Sequence, residues 1–313
     1  PGRSGPRPRV DVLGGLLLAA GLGLLVVGLY NPDPARAVLP SWGPRAIGLG
    51  GLLLVAFLIW EGYAPSRLLD LRGVRKRTLF AALGASALAG AALLVTLVDV
   101  QLMAQTLWDK SAMGGALVLA RFLVALAAGA ALGGLLVPRV GERLVTIFGL
   151  VLAGVGYLLI ASWPADVLAS RYFGVPRLDA DLALAGLGLG VVVAPLSASV
   201  LRAVPAAQHG VASAAVVVAR MMGMLLGVAA LSAWGLHRFQ SLTATLVTPI
   251  PLGIDDAEFQ RRVAAYRAAL HAALRVEYRE IFLVTAALCG LGALCGLALY
   301  GRRGRAATGT LRP

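Results

Sequence analysis

Apolar residues run along this chain in long blocks broken by short clusters of charge, proline and glycine, and the blocks have the length of membrane spans. Eight blocks are predicted as helices: Val10–Tyr30, Arg45–Ala64, Thr78–Thr106, Met113–Val137, Val145–Trp163, Leu182–Leu201, Gly210 to about Leu236, and Arg279–Tyr300. A run of about 20 apolar residues crosses a hydrocarbon core of roughly 30 Å, and lipid leaves its backbone groups no partner outside the helix. The predicted fold class is all-α and polytopic.

Between the last two blocks the pattern changes. Phe259, Val263, Tyr266, Leu270 and Leu274 recur at steps of three or four, while Gln260, Arg261, Arg262, Arg267, His271 and Arg275 take other faces. This predicts an amphipathic helix outside the membrane. No proline follows Asp255, a suitable cap, until after Tyr300, and these 46 residues as one helix would extend about 69 Å. Before the break at Pro249 and Pro251, Leu236, Phe239, Leu242 and Leu246 continue the preceding span in the same rhythm. Two arms, over about 237–278, are therefore expected to stand above the outer surface. They suit a hairpin that stabilises a loop, a helix lying on lipid, or an apolar path that shields a lipid or docks a carrier. The segment Ala165–Asp181, with Tyr172, Phe173, Gly174 and Pro176, predicts a small hairpin nearby.

Composition agrees: 59% apolar and 14% charged lies outside the soluble balance of about half and a quarter. The formal charge of +13 would suggest nucleic acid in a soluble chain, but here position matters more than sum. With the amino terminus inside, fifteen cations (Arg3, Arg7, Arg9, Arg67, Arg72, Arg75, Lys76, Arg77, Arg139, Arg143, Arg202, Arg302, Arg303, Arg305 and Arg312) face the cytoplasm. The short outer loops hold only Arg36, Arg45, Lys110, Arg171 and Arg177, so both termini are expected inside. The five tryptophans (Trp42, Trp60, Trp108, Trp163 and Trp234) fall near span ends, where an amphipathic ring prefers to sit. The first block imitates a signal peptide, but seven further spans favour a helix that stays. The basic tail suits topology and contact with anionic lipid.

Little points to catalysis. Cys289 and Cys295 sit six residues apart in one block and offer neither disulfide nor metal site, and His209, His237 and His271 are far apart. There is no nucleophile elbow, phosphate loop or carboxylate cluster, so neither an enzyme nor a cofactor or metal is expected. The charges within spans need another explanation, because each costs roughly 2.5–3.5 kcal/mol at mid-span. Asp99 and Arg121 lie at matching depths, roughly 10 and 12 Å below the outer end of adjacent helices, and are expected to pair, as a static lock or as a gate. Arg220 is near the midplane with no acid at its depth in this chain. Met221, Met222 and Met224 beside it suit either packing or a compliant apolar path, and Gln101 and Gln105, at i and i+4, suit a polar strip or an interhelical hydrogen bond.

Two spans, a basic loop and six further spans form an informative order, and six-helix halves build one large class of secondary transporter. The loop from Pro65-Ser66-Arg67-Leu68-Leu69-Asp70-Leu71-Arg72 to Arg77 resembles the link that opens the carboxyl-terminal half of major facilitator transporters. The chain is similar in plan to the fourteen-helix drug:proton antiporter branch, in which two linker helices join two halves. Further likenesses are Gly186-Leu187-Gly188-Leu189-Gly190 with Ala194-Pro195, the run His209-Gly210-Val211-Ala212-Ser213, and the loop of Gly134, Arg139, Gly141 and Arg143, which resembles the cytoplasmic gating loop. Pro138 stands in that loop where the family pattern has an aspartate. Close helix packing accounts for the glycines, as it does for Gly223 and Gly227.

The resemblance implies linker helices over 10–64, a basic loop over 65–77, a six-helix transport domain over 78–300, and basic cytoplasmic segments at 1–9 and 301–313. Because the chain starts at Pro1 and enters a span within ten residues, it is read as a fragment whose amino-terminal six-helix half is missing. With its arms, the pattern most resembles lipid-exporting actinobacterial members of the superfamily. That likeness implies a bacterial cytoplasmic membrane exporter of triacylglycerol-type lipid, coupled to protons and partnered by a periplasmic lipid-binding lipoprotein. Multidrug efflux and a non-transporting membrane scaffold are the alternatives.

Overall fold

The computed structural model describes residues 12–33, 37–63, 74–250 and 255–299. The predicted basic segment 1–9, most of the basic loop 65–77 and the tail 301–313 lie outside the described residues. The apolar blocks form eight helices: α1 (Val12–Leu29), α2 (Gly43–Tyr63), α3 (Lys76–Leu107), α4 (Ala112–Val140), α5 (Glu142–Ala161), α6 (Arg177–Ala203), α7 (His209–Thr243) and α8 (Asp256–Leu297). Six of them, α3 to α8, are long and apolar enough to cross a membrane, whereas α1 and α2 carry shorter apolar stretches, Leu13–Leu29 and Gly43–Phe57.

Small residues set the pairing. Glycine has no Cβ, so two helix backbones can approach where it faces a neighbour, and interhelical packing in lipid depends on such approach. Gly186 and Gly190 of α6 face the backbone of α4 at Phe122 and Leu126, while Gly188 turns the other way against Gly149 and Ala153 of α5. On the opposite side of the bundle, Gly223 and Gly227 of α7 close on Ala87 and Ala91 of α3. The glycine run thus wedges α6 between α4 and α5. Helices α1 and α2 cross through Gly21 against Gly50 and Gly28 against Gly43, and α1 also touches α7.

The centre is apolar with few polar groups, and one of these joins three helices. Tyr157 of α5 stacks on Phe282 of α8 at 6.3 Å, and its hydroxyl shares a 2.6 Å hydrogen bond with Thr96 of α3. Thr96 also donates to the Ala92 carbonyl of its own helix at 2.7 Å. Three helices are joined around one ring pair.

The loops are short and specific. Gly141 joins α4 to α5 at φ 94°, a left-handed conformation that side chains disfavour. Between α5 and α6 the expected hairpin forms from β1 (Arg171–Tyr172) and β2 (Val175–Pro176), paired antiparallel as Arg171 with Pro176 and Tyr172 with Val175. Its turn residues Phe173 and Gly174 both have positive φ, 48° and 93°, matching the twist of a two-residue hairpin loop. At the other end of the bundle the Arg75 amide donates to the Ala203 carbonyl at 3.0 Å, tying the entry of α3 to the exit of α6.

Candidate functional site

The last two helices outlast the spans the sequence predicts for them. Helix α8 has 42 residues, about 63 Å at 1.5 Å per residue, and α7 has 35, about 52 Å. Both exceed a hydrocarbon core of roughly 30 Å. They meet where Leu231 of α7, Ile281 of α8 and Val95 of α3 form a small buried cluster. Just beyond it, Arg238 of α7 grips Glu280 of α8, its Nε 3.0 Å from each carboxylate oxygen and its terminal nitrogen 2.9 Å from Oε1. Such charge-assisted, two-point contacts fix orientation as well as distance.

Past that clamp the arms border a groove. The chain after α7, from Leu246 to Ile250, and the Arg262, Ala265, Tyr266 and Ala269 side of α8 enclose about 560 Å³. The residues of the predicted stripe, Phe259, Val263, Tyr266, Leu270 and Leu274, are all half-buried, and Leu274 also packs against the main core. Along the helix surface Glu258 pairs with Arg261 at 3.4 Å and with Arg262, which also borders the groove, at 2.9 Å. At the start of α8, Asp255 makes no side-chain cap, and its carbonyl accepts from the Phe259 amide instead.

The ion pair expected between Asp99 and Arg121 does not form. Arg121 instead pairs with Asp179 at the start of α6, 2.5 Å away, and also donates to the Leu117 carbonyl at 2.7 Å. The direction of Arg121 around its helix decides the pairing. The buried face of α4 carries Gly115, Val118, Phe122 and Ala125, and Arg121 projects from the exposed side toward the first turn of α6. Asp99 is 8% exposed on α3 and makes no ion pair among the described residues. Another acid, Glu277 of α8, lies within its electrostatic reach, as does Tyr278. Glu277 fits there because Gly235 of α7 has no side chain: a Cβ at that position would meet Glu277 Oε1 at 2.8 Å.

Arg220 lies half-buried on α7, with Gly90 of α3 against its backbone and the start of its side chain. Its guanidinium makes no ion pair among the described residues. Of the neighbouring methionines, Met221 is 57% exposed while Met222 and Met224 are half-buried. Among the six long helices α7 is the least buried along its length. Gln105 donates at 3.4 Å to the Gln101 carbonyl one turn earlier, and Gly115 of α4 stands against Gln101. The two glutamines thus share a face at the α3–α4 seam.

At the opposite end, Gly134 has open space around it, Arg139 donates to the Leu135 carbonyl at 3.4 Å, Gly141 makes the turn, and Arg143 is half-buried on α5. The firm contact there is one the sequence did not announce. Glu142, 4% exposed in the first turn of α5, meets Arg202 in the last turn of α6 at 2.8 Å. Acid at a helix start and base at a helix end both complement the helix dipoles. An ion pair therefore stands beside the loop that carries Pro138. Near the arms, Asp181 accepts from the Trp163 indole at 2.7 Å and lies 3.6 Å from Arg177, whose guanidinium also covers the Tyr172 ring. Among the described residues, no group of three or more His, Cys, Asp or Glu side chains is placed to hold a metal.

The bundle has the fold of a solved membrane transporter, and the chain belongs to the family of the triacylglyceride transporters compared below. It superposes on the crystal structure of a bacterial homologue of the human lysosomal transporter Spinster, in an inward-facing and occupied conformation, with a TM-score of 0.52 and 13% identity, covering 92% of this chain and 70% of that one. In sequence the chain is similar to a triacylglyceride transporter of Mycolicibacterium hassiacum, 52% identical over 303 residues, which is 94% of this chain and 57% of that protein. It is 50% identical over 307 residues to a triacylglyceride transporter of Mycobacterium tuberculosis, 96% of this chain and 59% of the relative. A triacylglyceride transporter of Mycolicibacterium smegmatis is 50% identical over 303 residues, 94% of this chain and 54% of its own length. The chain thus spans between half and two thirds of these curated relatives. No family model matches the sequence.

Proposed function

We propose that this chain forms the linker helices and carboxyl-terminal half of a major facilitator exporter that moves triacylglyceride-type lipid out of a bacterial cytoplasmic membrane. The observation that carries this reading is that similarity to triacylglyceride transporters at about half identity runs through 94–96% of the chain, arms included. In this reading the plan is the fourteen-helix one, an amino-terminal six-helix half completes the transporter, and both ends of the chain face the cytoplasm. Rocking of the two halves exposes the lipid outward, and the groove between the arms shields its acyl chains from water on the way to a periplasmic lipid-binding lipoprotein.

The ionisable groups divide the remaining work. Arg220, half-buried near mid-span with no ion pair among the described residues, finds an acid in the amino-terminal half. Met221, Met222 and Met224 line a path that tolerates variable chains, because the thioether is flexible and polarisable. Proton coupling falls to buried acids such as Asp99, which lies beside Glu277 of α8. Reconstituting the full-length protein with labelled triacylglyceride in one set of vesicles and a cationic dye in another tests the proposal. Lipid flux that depends on a proton gradient supports it; dye flux without lipid flux replaces it with multidrug efflux, and neither leaves a membrane scaffold.

A further inference from the structure

A second cavity lies outside the arm groove. It encloses about 230 Å³ where the ends of α3 and α5 meet α8. Its floor is apolar, with Met103 and Leu107 from α3 and Phe282 from α8. Trp108 and Trp163 form one wall, their rings 6.0 Å apart. Paired tryptophans are the side chains expected at the level of lipid headgroups.

The other wall is charged. Arg275 and Arg279 line the cavity one turn apart on the same face of α8. Neither makes an ion pair among the described residues, although nearby arginines do: Arg238 holds Glu280, and Arg261 and Arg262 share Glu258. Pockets that enclose a whole small ligand usually measure about 300–1,000 Å³, so this one suits one end of a molecule whose remainder lies elsewhere. Val276 lines the cavity and stays 37% exposed, which leaves an apolar way out beside the charges. Triacylglyceride is uncharged and offers two arginines only neutral ester carbonyls, weaker acceptors than a phosphate. A different lipid is implied.

We propose that the α3–α5–α8 cavity is a binding site for an anionic phospholipid, its phosphate held between Arg275 and Arg279 and the start of an acyl chain lying on Met103, Leu107 and Phe282. Arginine suits this task because its fork of donors matches phosphate oxygens two at a time. The tryptophan wall sets the depth of the headgroup, so the site lies at the membrane face from which the arms project.

The test uses delipidated full-length protein in detergent, titrated with phosphatidylglycerol, with phosphatidylcholine of the same chains, or with inorganic phosphate, and read by native mass spectrometry. A retained phosphatidylglycerol adduct is expected, with phosphatidylcholine bound about tenfold less and inorganic phosphate unable to displace the lipid. Arg275→Gln with Arg279→Gln should weaken phosphatidylglycerol about tenfold, whereas Arg267→Gln, on the same helix but away from the cavity, should not. Val276→Trp fills the cavity while keeping both charges and should reduce retention by itself, so loss in either variant, with unchanged melting of the lipid-free protein, supports the site. Equal retention of the two lipids, displacement by phosphate alone, or full retention by both variants would overturn it.

Discussion

Arg238 and Glu280 face each other across the root of the two arms, one guanidinium nitrogen equidistant from both carboxylate oxygens at 3.0 Å. The contact sits beside the Gly235–Glu277 approach, one turn further along α7 and one turn nearer the bundle on the antiparallel α8. Partly exposed pairs contribute little to stability, about 0.2–1 kcal/mol. Arg238→Gln or Glu280→Gln should therefore lower the melting temperature only slightly, and a double-mutant cycle should give coupling within that range. Export should fall much more than stability, because the pair sets the angle of the arms. Coupling indistinguishable from zero would show that the clamp is not formed in the membrane.

The pairing of Arg121 with Asp179 in place of Asp99 makes a separate prediction. Arg121→Gln and Asp179→Asn should have similar effects, and combining them should add little to either one. Asp99→Asn should combine additively with Arg121→Gln, since the two side chains do not meet. Thermal unfolding of the three single and two double variants in detergent decides this: additivity for Arg121 with Asp179, or strong coupling for Arg121 with Asp99, would reverse the assignment.

Gly223 closes on the backbone of Ala87, leaving no room for a side chain. Gly223→Val should separate α3 from α7 and destabilise the protein by about 3 kcal/mol, the upper end of overpacking effects. Gly290 has open space around it, and Gly290→Ala should stay within about 0.5 kcal/mol. Denaturation curves of the two variants, measured side by side, check the contrast.

Deleting Asp255–Leu274 removes the outer part of α8 and most of one wall of the groove. Insertion and the fold of the bundle should persist, as read by expression level and by chromatography in detergent, while lipid export should be lost. Export at the normal rate by the deletion variant would remove the shielding role of the arms.

Most of the fold was legible because a bilayer allows few choices. Length and apolarity identify the helices, and the steps of three and four from Phe259 to Leu274 identify the arm. Tyr172 to Pro176 carries its own turn chemistry, and the glycines of α6 announce close packing. What escaped was azimuth. Depth follows from counting residues, but the direction of a side chain around its helix depends on which neighbour that helix packs against. Arg121 was therefore given the wrong partner, and the Glu142–Arg202 contact was not foreseen. Glu277 was hidden for a related reason: the arm predicted over about 237–278 placed it above the outer surface, whereas it lies alongside Asp99. Gly235, which lets that carboxylate in, has no signature in a sequence read one helix at a time.

The most direct measurement of the lipid path places a photoreactive residue at Tyr266, inside the arm groove, or at Arg267, outside it, in full-length protein supplied with labelled triacylglyceride and a proton gradient. Irradiation during transport should give a lipid adduct at position 266 and little at 267. Equal labelling of the two positions, or none at 266 while lipid is moving, would contradict passage of the lipid between the arms.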